Sequence, residues 1–408
     1  MDRYGYYQIG DFKTYSVYQL MDRYKEDPQP YKWIYNDDFF SQYDWTQEPK
    51  ESLEELYKNR AKELREQYDY LVLYYSGGYD SANMLYAFLD NGIYPDEICR
   101  VDSRFDTVSH RYHEGKWKTW KKLEEIEKLY PQIKIRRVDN ADIVCNWPKI
   151  IKDTNEYLDL NLDPIYYWGP RTSVHRLVLD VLHEHIDDWK QLLKEKKKLC
   201  TVSAVDGVQL GYNLRAKKMV HNFTDVDVYG HMSPIRQMTN KLDRDTLEFF
   251  YWAPTETCAK IMIKQGHLAR KFYTDLAGGD LKTLVKMGEV VRFKKSSMPW
   301  MRFISSNYEP FKKIIYPRLF EADEQFYRPK EINLWGNVDQ WYYNSTFPNS
   351  QQHWKDIHLT LFDDKNSHWR QFFYDGDILK GHEKIRSIDY TIYRSHNLES
   401  TSKLCTGL

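Results

Sequence analysis

A buried strand that turns through two glycines into a helix occupies residues 70–90. The strand is the apolar run Tyr70–Tyr75, and the turn reads Ser-Gly-Gly-Tyr-Asp-Ser over residues 76–81. Apolar residues at helical spacing follow, and Asn91-Gly92 is typical of a helix C-terminus. Because the strand is a continuous apolar run rather than an alternating one, we expect it to lie in a parallel sheet that is covered on both faces.

The turn at residues 76–81 has the chemistry of an anion site. A helix that starts directly after a strand brings its first N–H groups and the positive end of its dipole to the turn. The glycines let the backbone approach phosphate oxygens, and the serine hydroxyls can donate to them. Asp80 can hold a Mg²⁺ ion that bridges the same oxygens. Neither common phosphate motif, G-x-x-x-x-G-K-[ST] or G-x-G-x-x-G, occurs in the chain.

The Ser-Gly-Gly-x-Asp-Ser pattern resembles the PP-loop of the ATP pyrophosphatase superfamily, whose members cleave ATP between the α and β phosphates. All five defined positions match. The resemblance implies an α/β fold of the adenine nucleotide alpha hydrolase type, with a parallel sheet and helices on both of its faces. It implies ATP and Mg²⁺ as cofactors. It assigns the ATP site to the loop and to the end of the next strand, at Ser76, Gly77, Gly78, Tyr79, Asp80, Ser81, Val101 and Asp102.

A second strand and loop resemble one branch of that superfamily. The apolar run 199–205 is followed by Asp206, Gly211 and Tyr212. This order is similar to the synthetase domain of asparagine synthetases and β-lactam synthetases. Two residues stand where that family usually has glycines, Ser203 and Val205. The helical stretch that opens at Arg171 is similar to the helix that precedes this strand in the family.

The resemblance assigns roles to residues outside the first loop. Asp80 and Asp206 are expected to be the metal ligands, because each follows a strand at the edge of the sheet where such folds bind ligands. Arg171 and Tyr212 are expected to bind the substrate. The family uses a lysine from its C-terminal domain in adenylation, and the basic stretch 291–318 offers Lys312 and Lys313 as catalytic candidates.

These residues predict a ligase that forms AMP and pyrophosphate. It would adenylate a carboxylate or carbonyl oxygen of a small molecule and join it to an amine. Glutamine-dependent relatives start with a glutaminase domain, but here Asp2 replaces its cysteine and 68 residues precede the strand–loop unit. The nitrogen is therefore expected from free ammonia, another amine, an internal nucleophile or a separate ammonia donor.

Two alternative functions remain open. Sulfur-inserting and sulfonucleotide-reducing enzymes share the loop and use cysteines, for which Cys99, Cys200 and Cys405 are the candidates. A nucleotide-binding sensor or scaffold would bind ATP without turnover. The pair Asp80 and Asp206 argues against a pure binder, because such a protein has no need of metal ligands for pyrophosphate departure.

Composition limits the partners and the compartment. The net charge of −1 gives no indication of a nucleic acid partner, and the 34 tyrosines and 13 tryptophans favour aromatic packing. No apolar run is long enough to span a membrane, and the N-terminus lacks a signal peptide. Five cysteines without a C-x-x-C pair fit a reducing compartment, so a cytoplasmic location is expected.

The pattern of elements divides the chain into three regions. Residues 1–68 are an aromatic extension with irregular structure followed by a helix over 49–67. Residues 69–215 form the ATP-binding α/β domain, with further strands at 97–102, 133–138 and 199–205 and helices at 81–90, 107–129 and 171–194. Residues 216–408 are expected to be mostly helical, with an irregular tail beyond 329.

Overall fold

The computed structural model describes a subset of the chain. It covers residues 6–14, 23–24, 26–34, 36–102, 119–139, 186–204, 208–213, 218–224, 244–277, 293–295, 301–304, 309–316, 369–375 and 378–385. In chain order its elements are β1 (Tyr6–Ile9), β2 (Phe12–Thr14), β3 (Tyr31–Ile34), α1 (Asp37–Phe40), α2 (Leu53–Gln67), β4 (Tyr70–Tyr74), α3 (Tyr79–Leu89), β5 (Glu97–Asp102), α4 (Trp120–Leu129), β6 (Lys134–Asp139), α5 (Asp187–Lys194), β7 (Leu199–Ser203), β8 (Gln209–Asn213), β9 (Lys218–Thr224), β10 (Arg244–Glu248), α6 (Glu256–Ala277), β11 (Phe293–Lys295), β12 (Met301–Ile304), α7 (Glu309–Ile315), β13 (Trp369–Asp375) and β14 (Ile378–Ile385).

Five parallel strands form a sheet in the order β10-β7-β4-β5-β6. The chain winds outward from β4 to β5 and β6 on one side, and then continues on the other side with β7 and β10. The winding direction therefore reverses between β4 and β7, which is a topological switch point. The predicted α/β class with a parallel sheet is confirmed.

The central strands are buried because their sequences are continuous apolar runs. Leu71, Val72 and Leu73 of β4 are each 0% exposed, as are Leu199 and Val202 of β7. Successive strand residues point to opposite faces, so three consecutive buried residues mean that both faces of the sheet are covered at β4.

The predicted strand positions agree with the structure to within two residues. β6 spans Lys134–Asp139 and β7 ends at Ser203. Only the last parts of the predicted helices 107–129 and 171–194 are described, as α4 and α5. β10 lies beyond the predicted domain boundary at residue 215 and still pairs with β7 in parallel, so the parallel sheet extends further along the chain than expected.

The N-terminal region contains a sheet where irregular structure was expected. β1 pairs with β2 and β3 in an antiparallel order β2-β1-β3. Gly10 makes the tight turn between β1 and β2 with a φ of +53°. α2 begins at Leu53, four residues later than position 49, because the side chains of Ser52 and Glu55 form a reciprocal capping box there.

The predicted helix-rich character of residues 216–408 is not confirmed. The described residues of this region contain the helices α6 and α7 together with the strands β9 to β14. Apart from β10, these strands join β8 in an antiparallel sheet of order β11-β12-β8-β9-β13-β14. The tail, expected to be irregular, contributes β13 and β14.

Aromatic side chains join the N-terminal region, the parallel sheet and α7 into one core. Phe40 packs edge-on against Trp252 at 5.1 Å between ring centroids, and Tyr57 packs against Phe250 at 5.0 Å. The Phe250 ring also contacts Tyr316 at 5.4 Å. We call Phe40, Tyr57, Phe250, Trp252 and Tyr316 the aromatic cluster. Its members explain part of the high aromatic content as interior packing.

Candidate functional site

In the loop between β4 and α3, the backbone conformation at position 77 requires glycine. Gly77 has a φ of +82°, in the left-handed region that L-residues with a side chain rarely adopt. A Cβ atom on Gly77 would lie 2.1 Å from Thr119 Oγ1. Gly78 differs, because its φ is −79° and a Cβ atom there would meet only Ser76 Oγ at 3.4 Å. Gly77 therefore sets the shape of the loop.

The two serines of the loop form hydrogen bonds with the loop itself. The hydroxyls of Ser76 and Ser81 lie 2.9 Å apart, and Ser81 Oγ also donates to the Gly78 carbonyl at 3.1 Å. Ser76 N–H donates to Ser81 Oγ at 3.2 Å. Ser81 is buried and Ser76 is exposed. The Ser81 hydroxyl thus stabilises the turn, and of the two serines only Ser76 faces solvent.

Two residues from neighbouring segments support the loop. The Arg100 guanidinium donates to the Ser76 carbonyl, with 2.6 Å between Nη1 and the oxygen, and Thr119 Oγ1 donates to the same carbonyl at 3.5 Å. Sequence analysis did not identify either residue. The available signal for Arg100 was a basic side chain directly after the apolar pair Ile98 and Cys99 of β5, next to the carboxyl edge of the sheet.

The loop leads directly into the N-terminus of α3. Gly78 is the N-cap residue, and Tyr79 and Asp80 lie in the first turn. The N–H groups of a first helical turn have no carbonyl partner within the helix, and the dipole makes this end positive. β4 ends at the switch point of the sheet, so backbone donors and a partial positive charge lie at the carboxyl edge of the central strands.

Asp80 is fixed by a tyrosine from the C-terminal region. The hydroxyl of Tyr316, directly after α7, donates to Asp80 Oδ1. Tyr316 is 0% exposed, whereas Asp80 is partly exposed. Burial, followed by the charge of Asp80, raises the pKa of the Tyr316 hydroxyl well above its ordinary value. The hydroxyl therefore keeps its proton and remains a donor to the carboxylate.

α7 brings the two predicted lysines to the same part of the molecule. Lys312 and Lys313 lie four and three residues before Tyr316, about one helical turn away. The Lys313 side chain is exposed. The backbone of both lysines is therefore about one helical turn from the residue that contacts Asp80.

The ends of the next two strands lie at the same edge of the sheet as the loop. Asp102 is the last residue of β5 and pairs in register with Asp139, the last residue of β6. Val101 pairs with Val138 and is partly exposed. Carboxyl ends of parallel strands share one edge, so Val101 and Asp102 lie on the side of the sheet where the loop emerges.

The second predicted loop is described only at its two ends. Asp206 and Arg171 lie outside the described residues. Before Asp206, Ser203 ends β7 with its Oγ atom buried and without a hydrogen-bond partner in the described structure. After it, Val208 N–H donates to Tyr251 Oη at 3.2 Å. Tyr212 lies on β8, where it pairs with Met219 and Arg302 in the antiparallel sheet.

The described cysteines are all buried. Cys99 and Cys200 are 1% and 0% exposed within β5 and β7, and Cys258 is 0% exposed in α6. Burial raises the pKa of the Cys258 thiol. Reactive cysteines combine a lowered pKa with access to solvent, and these three residues lack that access.

Neither a ready-made metal cage nor a membrane helix is found among the described residues. No group of three or more His, Cys, Asp or Glu side chains in these segments is placed to hold a metal ion. No helix that the structure describes has the length and apolar character needed to cross a membrane. A cleft of ≈ 320 Å³ lies between α2 and α3, lined by residues such as Glu54, Tyr86 and Asn91 rather than by the loop.

Comparison with known proteins gives no relative from which function can be transferred. No family model, curated protein or solved structure matches this chain.

Proposed function

We propose that this chain is an ATP pyrophosphatase-type synthetase of the asparagine synthetase-like kind. The observation that carries the proposal is the position of the Ser76–Ser81 loop. It joins the central strand β4 to the N-terminus of α3 at the switch point of a five-stranded parallel sheet. Open α/β sheets bind their ligands outside the carboxyl ends of the strands at this point.

The loop has the donors that a pyrophosphate group needs. The helix start at Gly78 leaves the first N–H groups of α3 without carbonyl partners within the helix, directly beside the loop. The guanidinium of Arg100 adds a full positive charge beside the Ser76 carbonyl. An anion of high charge, such as the β and γ phosphates of ATP, fits this arrangement better than a neutral ligand.

The two proposed carboxylate ligands suit a Mg²⁺ ion that binds together with a nucleotide. Mg²⁺ is usually bound by one or two carboxylates together with substrate phosphates and water, which explains why no all-protein cage is needed. Asp80 would supply one carboxylate from the first turn of α3, and Asp206 would supply the second. When bound, Mg²⁺ would offset the charge that develops on the departing pyrophosphate.

The proposed reaction has two steps. A substrate carboxylate or carbonyl oxygen attacks the α phosphorus of ATP, the bond to the α–β bridging oxygen breaks, and pyrophosphate leaves with the electron pair. An amine then attacks the activated carbon, AMP leaves, and the amine gives up a proton. Arg171 and Tyr212 are the proposed substrate-binding residues, and Lys312 or Lys313 would stabilise the charge of the adenylation transition state.

The buried thiols favour amide formation over sulfur transfer. Sulfur-transfer enzymes need a cysteine that can reach the activated substrate, and Cys99 and Cys200 are enclosed in the sheet. The third candidate, Cys405, lies outside the described residues. The candidate partners are therefore ATP, a small carboxylate and an amine or a separate ammonia donor.

Product analysis tests the proposal directly. The protein is incubated with ATP, Mg²⁺, ammonium and a panel of small carboxylates, and the nucleotides are separated by chromatography. The proposal expects AMP and pyrophosphate in equal amounts. ADP and phosphate as the main products would contradict it. ATP binding without any turnover across the panel would favour the sensor or scaffold alternative.

A further inference from the structure

We propose that Tyr316 is the positioning residue for the Asp80 carboxylate, so that the C-terminal segment around α7 completes the site formed by the loop. This inference rests on the function proposed above, in which Asp80 binds the metal that accompanies ATP. Tyr316 does not contact the nucleotide in this account, and it acts only through Asp80.

The hydrogen bond between Tyr316 and Asp80 is a specific contact between distant parts of the chain. The Tyr316 hydroxyl donates to Asp80 Oδ1 across 236 positions of the sequence, and the whole tyrosine side chain is 0% exposed. A carboxylate has about four lone-pair sites, so Asp80 can accept this hydrogen bond and still bind a cation. Outer partners of this kind fix the orientation of metal ligands.

Tyr316 is itself held in place by a buried network. Its ring packs against Phe250 at 5.4 Å between centroids. The carbonyl of the preceding Ile315 accepts from the Tyr57 hydroxyl at 2.5 Å, and that hydroxyl accepts from Gln265 Nε2 at 2.8 Å. The position of the hydroxyl that meets Asp80 is therefore set by α2 and α6.

The same network reaches the second predicted loop. Gln265 Oε1 accepts from the Tyr251 hydroxyl at 2.7 Å, and Tyr251 Oη accepts from Val208 N–H at 3.2 Å. Val208 follows Asp206 by two positions. Val208 and the segment that carries Tyr316 are thus held by one set of buried hydrogen bonds.

The test measures metal affinity in the full chain rather than turnover. Mn²⁺ is titrated, with electron paramagnetic resonance detection, into protein saturated with an ATP analogue that has a methylene bridge between the α and β phosphates. Tyr316→Phe removes only the hydroxyl and is expected to weaken Mn²⁺ binding about 10- to 100-fold. The matched control is Tyr70→Phe, which removes a hydroxyl that donates to the Glu97 carboxylate at the opposite edge of the same sheet.

Each outcome supports or overturns the positioning role of Tyr316. A loss in Tyr316→Phe with wild-type affinity in Tyr70→Phe and similar melting temperatures supports the positioning role. Equal losses in both variants overturn it, because they indicate a general effect of removing a tyrosine hydroxyl that donates to a carboxylate. In the Asp80→Asn background, Tyr316→Phe must cause no further loss, and an additive loss also overturns the role.

The two proposals fail in different ways. If Asp80→Asn weakens Mn²⁺ binding while Tyr316→Phe leaves it unchanged, only the positioning role is wrong. If Asp80→Asn itself leaves Mn²⁺ binding unchanged, Asp80 is not a metal ligand, and the proposed function and the positioning role are both wrong.

Discussion

At the scale of single residues, Gly77 and Gly78 are neighbours with different structural requirements. The sequence suggested that both glycines are needed for close approach of phosphate. The structure shows a positive φ and a tight contact with Thr119 only at Gly77. A sequence pattern cannot distinguish them, because the distinction depends on Thr119, which lies far away in the chain.

Gly77→Ala is therefore expected to destabilise the protein, by about 1–3 kcal/mol from backbone strain alone. Its Cβ atom would also lie too close to Thr119 Oγ1, so the loop must move and nucleotide affinity should fall. Gly78→Ala is the matched control, because its Cβ atom meets only ordinary contacts. Urea unfolding and calorimetric titration with an ATP analogue measure both effects. Equal behaviour of the two variants would contradict this account of the loop.

At the scale of elements, the strands β4 to β7 were predicted to within two residues, whereas the short strand β10 was missed. β4 and β7 are continuous apolar runs, and β5 and β6 follow the predicted helices at the spacing of βα units. β10 has the sequence Arg-Asp-Thr-Leu-Glu. It lies at one end of the strand order of the parallel sheet, next to β7. A short polar strand carries little periodic signal, so only tertiary pairing reveals it.

The N-terminal hairpin was missed although the sequence contains a signal for it. Gly10-Asp11 separates two short runs with aromatic residues, and a two-residue turn that contains glycine is typical of a β-hairpin. The start of α2 was also readable from Ser52 and Glu55, which have the spacing of a capping box. These boundaries depend on local chemistry that a count of apolar residues does not include.

Helix α5 is attached to the sheet by an ion-pair network that predicts a pH dependence. Asp188 accepts hydrogen bonds from Lys134 and from Arg136, the latter at 2.7 Å, and these two partners lower the pKa of Asp188 well below its ordinary value. A lowered folded-state pKa stabilises the protein above the unfolded-state pKa of about 3.9, and this contribution is lost as the pH falls below it.

Asp188→Asn should therefore reduce stability at pH 7 and pH 5, and the difference from wild type should shrink as the pH falls below about 4. Asp187→Asn is the control, because Asp187 is 96% exposed and, among the described residues, its ion pair is with Lys190 at 3.5 Å. Urea unfolding at several pH values provides the measurement. A difference for Asp188→Asn that stays constant down to pH 2.5 would show that the network does not stabilise the charged form.

At the scale of the whole molecule, the site combines segments that are far apart in the chain. The loop and the two parallel strands around it were predictable, because their signals are local. The contact between Tyr316 and Asp80 was not, since many tyrosines could have met the loop and no periodicity selects one. The proposed lysines at 312 and 313 were expected from the family resemblance, and α7 now places their backbone near the loop.

The buried network behind the loop should contribute measurably to stability. Tyr57→Phe leaves the Ile315 carbonyl and Gln265 Nε2 without the hydroxyl that they both contact. An unsatisfied buried polar group costs about 1–3 kcal/mol, so the free energy of unfolding should fall by about that amount. Tyr94→Phe is the control at an exposed site. A loss no larger than that of the control would mean that the network does not hold α7 to the core.

We propose that Asp80, at the start of α3, serves the cleavage of ATP to AMP and pyrophosphate. The most direct measurement is the rate of pyrophosphate release at saturating Mg²⁺ in wild type, in Asp80→Asn and in Asp90→Asn, which changes a carboxylate at the other end of the same helix. We predict a loss of about 100-fold or more in Asp80→Asn and a rate near wild type in Asp90→Asn. Wild-type pyrophosphate release in a folded Asp80→Asn variant would contradict the account.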